Sequence, residues 1–106
     1  MKLSKAIFRV FEVRARPGHA KTLERKLSET SVSVVAGEPG NLGHFFGTTL
    51  SSDGNDLVFV SVWQDMDAIK ARFGESWEES YLPEGYEALI ESCSVRHIVV
   101  DGALNS

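Results

Sequence analysis

Apolar residues recur along this chain in two distinct rhythms. Over 57–63 every position is apolar or small, Leu-Val-Phe-Val-Ser-Val-Trp, where a strand with one wet face would alternate. Both faces of this segment must therefore be covered. The stretch 6–13 behaves in the same way: Phe8 and Val10 fall on one side, Ile7, Phe11 and Val13 on the other, and Arg9 and Glu12 are the polar exceptions. Between the two strands the rhythm changes. Ala20, Leu23, Leu27 and Val34 recur at helical spacing with Lys21, Glu24, Arg25, Lys26 and Glu29 outward, which predicts a helix over 19–35. Its last turns are poor in intrinsic helix formers and depend on packing, and Gly37, Pro39 and Gly40 stop it.

The remaining elements follow from the same rules. A second strand is predicted over 42–50, with Leu42, His44 and Phe46 on one face and Gly43, Phe45 and Gly47 on the other, followed by a hairpin loop over 51–55 centred on Asp53-Gly54. After the 57–63 strand, Asp65 is placed to cap a helix that turns Met66, Ile69 and Phe73 inward and ends at Gly74. The stretch 75–82 sets Trp77 and Tyr81 four apart, as on one helical face, before Pro83-Glu84-Gly85 breaks it. A helical turn around Tyr86, Leu89 and Ile90 leads into a last strand over 93–100, and the tail 101–106 is expected to fray.

Strand, helix, strand, strand, helix, strand is the split βαβ order of an α+β, ferredoxin-like fold: a four-stranded antiparallel sheet with helices on one face. Right-handed crossovers place strands one and three in the centre, and these are the two with apolar residues on both sides. The face away from the helices is then too apolar for a monomer, so a homodimer closed sheet against sheet is expected.

Composition narrows the function classes. With 106 residues and 42% hydrophobic content, the chain is expected to form one domain over 1–106. A net charge of −4 and the lack of a Lys/Arg cluster argue against nucleic acid or an anionic membrane as partner. Nothing approaches transmembrane length, and Arg9 and Glu12 interrupt the N-terminal apolar stretch before a signal core is complete, so the cytoplasm is the expected compartment. Cys93 is the single cysteine, which excludes an intrachain disulfide and any motif needing two thiolates. Gly40, Gly43 and Gly47 lack the following helix start and lysine of a phosphate loop. No cofactor and no metal are expected.

The residues able to carry chemistry are few. Trp63 could stack on a planar ligand and donate its indole N–H to an oxygen, or could close the core as packing. Trp77 and Tyr81 suit packing or the mouth of the same pocket. His44, alternating with Leu42 and Phe46, is expected to point inward as a general base or as a hydrogen-bonded structural residue. Arg9 is expected to pair with Glu12 or an acid of a partner chain rather than with a substrate anion. Asp65 and Asp67 are explained by capping, and Glu75, Glu78 and Glu79 by a solvated face.

With these residues in place, the chain resembles the dimeric α/β barrel proteins, and within them the antibiotic biosynthesis monooxygenase family. The resemblance covers almost the whole chain and rests on Arg14-Ala15-Arg16-Pro17-Gly18-His19, on Glu38-Pro39-Gly40, and on Val62-Trp63-Gln64-Asp65 leading into Ala68 and Phe73. It implies a pocket between each sheet and its own helices, which in catalytic relatives holds an aromatic compound, often a quinol, oxidised by dioxygen without metal or flavin. Of the family's site residues only Trp63 is carried over, to orient the ring; in a monooxygenase scheme built from this chain's own residues His44 would assist deprotonation, and Trp77 and Tyr81 would exclude water beside Phe59, Ile69 and Phe73. Haem-degrading members need an asparagine, a tryptophan and a histidine where ungapped matching finds Phe11, Arg72 and Leu82, so haem degradation is not expected. Polyketide-oxidising members carry an asparagine and a tyrosine where Phe59 and Ile69 stand. Two main readings therefore stay open, a cofactor-independent monooxygenase acting on a small aromatic or quinol-type compound and a non-catalytic barrel that binds a small apolar metabolite, with haem binding through another ligand such as His44 as a third option.

Overall fold

In the computed structural model, which describes residues 6–50 and 53–101, four antiparallel strands form one sheet in the order β2-β3-β1-β4. They are β1 (Ala6–Ala15), β2 (Asn41–Thr48), β3 (Asp56–Trp63) and β4 (Ile90–Val100). The fold is the expected α+β, ferredoxin-like one, with the two most apolar strands at the centre. Cross-strand pairs fix which residues share a face: Phe11 sits opposite Phe59, and Val10 opposite Val60. On the helix side Ile7, Phe11, Val13, Leu57, Phe59 and Trp63 join Leu23, Leu27, Val35, Ile69, Tyr86 and Leu89 in the core. Val10, Val60 and Val62 lie on the other side of the sheet and are buried outside that cluster.

The first helical run is α1 (Ala20–Lys26), a π-helical stretch Leu27–Ser31 and α2 (Val32–Val35). The pattern that predicted 19–35 is thus right in extent but carries one wider turn. That turn falls where the poor helix formers begin, because Thr30 and the β-branched residues after it hold the regular ladder weakly. α3 (Met66–Phe73) starts where expected, with the Asp65 carboxylate accepting the Ala68 backbone N–H at 2.9 Å. It stops at Gly74, whose φ of 73° is open to glycine at little cost.

Three expectations differ from the structure. No helix runs over 75–82: a 3-10 turn at Gly74–Ser76 gives way to turn and irregular backbone, so Trp77 and Tyr81 do not share a helical face. The stretch has few apolar residues to bury, and its carbonyls are held from outside by an arginine described below. In β2 a bulge pairs Asn41 with Trp63 and Gly43 with Val62, which leaves Leu42 between them and exposed. The strand ends also shift, β4 beginning at Ile90 rather than 93. Asp53-Gly54 stands in the hairpin, with φ 71° at Gly54, while 51–52, the first five residues and the end of the tail, 102–106, lie outside the described residues.

Gly40 ties the two helical runs together. Its φ is 83°, its carbonyl accepts the Gln64 backbone N–H at 2.9 Å, and a Cβ there would stand 2.5 Å from the Ala68 Cβ. Gly40→Ala is expected to lower the unfolding free energy by about 2–3 kcal/mol in urea titrations, combining left-handed strain with overpacking. Gly37→Ala, also at positive φ but facing open space, should cost only about 1 kcal/mol. Equal losses at the two positions would show that the approach to Ala68 is unimportant.

Candidate functional site

One rung of the sheet is polar on the helix side. Arg9 of β1 pairs with Ser61 of β3 and His97 of β4, and Ser61 pairs in turn with His44 of β2, so His44, Ser61, Arg9 and His97 form a row across all four strands. Above this row a narrow cleft, open at its mouth and enclosing only about 30 Å³, lies between the sheet and the helices. Its floor is Arg9, Phe11, Phe59 and Ser61, its roof is Ser31, Val34 and Val35, and Phe73, Tyr81 and Pro83 complete it.

Arg9 dominates the chemistry of the cleft. The side chain is only 5% exposed, yet among the described residues no carboxylate forms an ion pair with it. Instead its Nη1 donates to the Trp77 carbonyl and lies 3.1 Å from His97 Nε2, and its Nη2 donates to the Glu79 carbonyl at 2.9 Å. The guanidinium carbon stands 3.8 Å from the centre of the Phe73 ring, within cation–π range. Burial, and then the nearby Arg72, lower Arg9 to about 10, which leaves it charged at neutral pH. Arg72 stands beside the same aromatics, 5.3 Å from the Phe73 centroid and 5.4 Å from Tyr81, with its own charge partnered by Glu38 at 3.5 Å and its Nε donating to the Val34 carbonyl at 2.7 Å. The expected pairing of Arg9 with Glu12 does not occur. Glu12 faces the other side of the sheet and pairs with Arg96 at 2.9 Å, because adjacent-parity positions on a strand point oppositely.

The roof owes its polar group to the π-helical turn. Ser31, its last residue, is buried and faces the cleft, with Oγ 3.0 Å from the Tyr86 hydroxyl. Tyr86 is itself buried, which raises its pKa, and donates to the Lys26 carbonyl at 2.7 Å.

Of the residues expected at the site, Phe59 and Phe73 line the cleft, and Tyr81 lines its mouth while 48% exposed. Trp63 does not line the cleft: it is 0% exposed in the core beside it, on the same face of β3 as Ser61, and its indole N–H is spent on Ser61 Oγ at 2.8 Å. Ile69 is wholly buried in the core, and Trp77 packs edge-on to His97 at 5.2 Å between centroids. His44 shares the predicted face but is exposed, stacked on Phe59 at 5.9 Å, because β2 is an edge strand. It therefore stands outside the cleft. Ser31 and Ser61 were not singled out by sequence; the signal available for Ser61 was its being the one hydroxyl in an otherwise apolar central strand. Among the described residues no cluster of three His, Cys, Asp or Glu could hold a metal ion, and no helix is long and apolar enough to cross a membrane.

Comparison with known proteins places this geometry in context. The family model described as antibiotic biosynthesis monooxygenase matches residues 6–76. Among solved structures, PA3566 from Pseudomonas aeruginosa is similar at 23% identity and a TM-score of 0.68, over 94% of this chain and 98% of that one. A variant of SnoaB from Streptomyces nogalater, a cofactor-independent oxygenase, is similar at 16% identity and a TM-score of 0.68, over 92% and 94% of the two chains. SO0527 from Shewanella oneidensis reaches 0.69 at 16% identity, over 94% and 95%. No curated protein sequence matches significantly.

His97 offers a direct check on the polar row. Partial burial, and then the charge of Arg9, lower its pKa, with Glu78 opposing more weakly. A base with a depressed folded pKa contributes stability in full above its unfolded value of about 6.5, and loses it as pH falls through the folded pKa. The stability difference between the protein and His97→Gln should therefore be level above about pH 7.5 and drift in disfavour of the parent below about pH 6.5. Thermal melts in matched buffers measure it; a difference independent of pH from 8 down to about 5 would contradict the placement.

Proposed function

Since the chain belongs to the antibiotic biosynthesis monooxygenase family, we propose that it is a cofactor-independent monooxygenase whose cleft over Arg9 binds a small aromatic or quinol-type compound. The observation that carries this reading is a buried cation on the floor of an aromatic-lined cleft, with no ion pair among the described residues. A guanidinium so placed favours the ionised form of a phenol or enol and so prepares an electron-rich ring for dioxygen. The substrate anion passes an electron to dioxygen and the two recombine at a ring carbon. In balance, a CH₂ carbon of the keto tautomer and one O₂ become a carbonyl and water: the substrate supplies all four electrons, one oxygen stays on carbon, and the other leaves with both hydrogens.

In this scheme Arg9 and Ser61 touch the substrate oxygen, Phe59 and Phe73 hold the ring, and Tyr81 limits water at the mouth. Trp63 acts as a positioning residue, since its N–H fixes the Ser61 hydroxyl. The proton released on ionisation leaves through the mouth, His44 lying outside the cleft. The rival reading, a non-catalytic barrel that binds an apolar metabolite, draws support from the apolar Phe59 and Ile69.

The protein is further proposed to work as a single-domain homodimer joined sheet to sheet. On the face away from the helices Phe8, Val58, Phe45 and Ile98 surround the buried Val10, Val60 and Val62, and Phe45 and Ile98 are 52% and 43% exposed. Covering such a surface favours association.

Two measurements test these readings. With quinols and anthrone-type phenols in an oxygen electrode, uptake should match product one to one, and Arg9→Gln should lower kcat/KM by about ten-fold or more, the loss of one charge-assisted contact. Identical products with and without air, and no uptake, would reject the oxygenase. Sedimentation should give twice the chain mass at micromolar concentration, and Phe45→Asp, at an exposed position of that face, should yield folded monomer; a monomeric parent protein would reject the dimer.

A further inference from the structure

The directions of the hydrogen bonds around the cleft restrict what can enter it. An indole N–H can only donate, so in the 2.8 Å contact Ser61 Oγ accepts from Trp63, and the Ser61 proton is left for a ligand. Arg9 spends three of its five N–H groups on the Trp77 carbonyl, His97 and the Glu79 carbonyl, which leaves two, one of them on Nε. The floor is therefore a donor surface with a positive charge. The roof has the opposite character. Tyr86 uses its single proton on the Lys26 carbonyl, so in the 3.0 Å contact with Ser31 it is Ser31 that donates. Ser31 is left with lone pairs alone facing the cleft, which makes it an acceptor.

From this polarity we infer that the cleft selects a monoanionic aromatic ligand: an ionised oxygen group against Arg9 and Ser61, and a second, protonated hydroxyl that donates to Ser31. The assignment rests on the cleft proposed above as the substrate site and narrows it to ligands bearing both groups, such as half-ionised quinols or hydroxyaromatic acids. A ligand with two neutral carbonyls leaves the cation uncompensated and gives Ser31 nothing to accept. A ligand ionised at both ends sets an anion against the Ser31 lone pairs. An aromatic body entering from the mouth would meet Phe11, Phe59 and Phe73, which line the cleft.

Binding without turnover tests this directly. The full-length protein is titrated under nitrogen at neutral pH, by calorimetry, with a hydroxynaphthoate carrying its two groups at opposite ends, and with naphthoate and naphthol as single-group controls. Hydroxynaphthoate is expected to bind about ten-fold or more tighter than naphthol, and about three-fold or more tighter than naphthoate, the ratios appropriate to a charge-assisted and a neutral hydrogen bond. Ser31→Ala should erase the second preference and keep naphthoate affinity unchanged. Naphthol binding as tightly as hydroxynaphthoate to the parent protein, no response of the hydroxyl preference to Ser31→Ala in a folded variant, or no binding of any of the three up to millimolar concentration, would each overturn the inference. The parent comparison needs no variant to fold. Because oxygen is excluded, anion preference without later oxygen uptake keeps the ligand assignment and removes the oxygenase, while uptake without anion preference does the reverse.

Discussion

A guanidinium sits inside a sheet whose helix-facing side is otherwise almost wholly apolar, and the arrangement of the cleft depends on how that charge is satisfied. Removing an ion from water costs several kcal/mol unless hydrogen bonds replace its hydration. Arg9 recovers them from two main-chain carbonyls, a histidine nitrogen and the face of Phe73. Both carbonyls belong to the irregular segment after α3, which has little apolar surface of its own to bury. The contact that stabilises the cation therefore also gives that segment its shape, and with it the positions of Tyr81 and Pro83 at the mouth. Charge, loop and cleft form one unit.

The opposite wall is built by a different device. A regular helix over Ala20–Lys26 would continue its ladder through the next turn, but the π-helical stretch Leu27–Ser31 widens it by one residue. The Lys26 carbonyl at the edge of that turn is taken by the Tyr86 hydroxyl, which arrives from the turn before β4. A buried Ser31 beside it thus reaches the cleft with its hydrogen bond already made. Trp63 does similar work from beside the floor, where its indole N–H holds Ser61 while its ring meets Phe73 edge-on at 5.9 Å. Both serines are set by large aromatic groups that do not themselves enter the cleft.

Separation of the two faces of the sheet explains why a small protein can host a polar site at all. Residues of even and odd position on β1 and β3 go to opposite sides, so Val10, Val60 and Val62 pack apart from the core that surrounds Arg9. The proposed partner sheet would cover that outer apolar set. The helix side is thereby free to carry one charged rung among apolar ones.

Much of this was legible along the chain. Two-sided apolarity at 6–13 and 57–63 marked the central strands, helical spacing marked the first long helix, and Asp65 and Gly74 bounded the next, because these features depend on local periodicity and on single residues. The family resemblance also drew on short local strings. The candidate cleft was legible only in part: Phe59, Phe73 and Tyr81 were expected at a pocket and line this one, whereas Arg9 was expected to meet Glu12 or an acid of a partner chain, and Trp63 and His44 were expected at the chemistry itself. Sequence alone determined the order of the elements, the parity of each strand and hence which side chains could share a face. Only the tertiary structure decided that Arg9 is satisfied by carbonyls about seventy positions away, that Trp63 serves Ser61, and that His44 lies at an open edge. Local pattern says which way a side chain points, but strand register and long-range packing choose what it meets there.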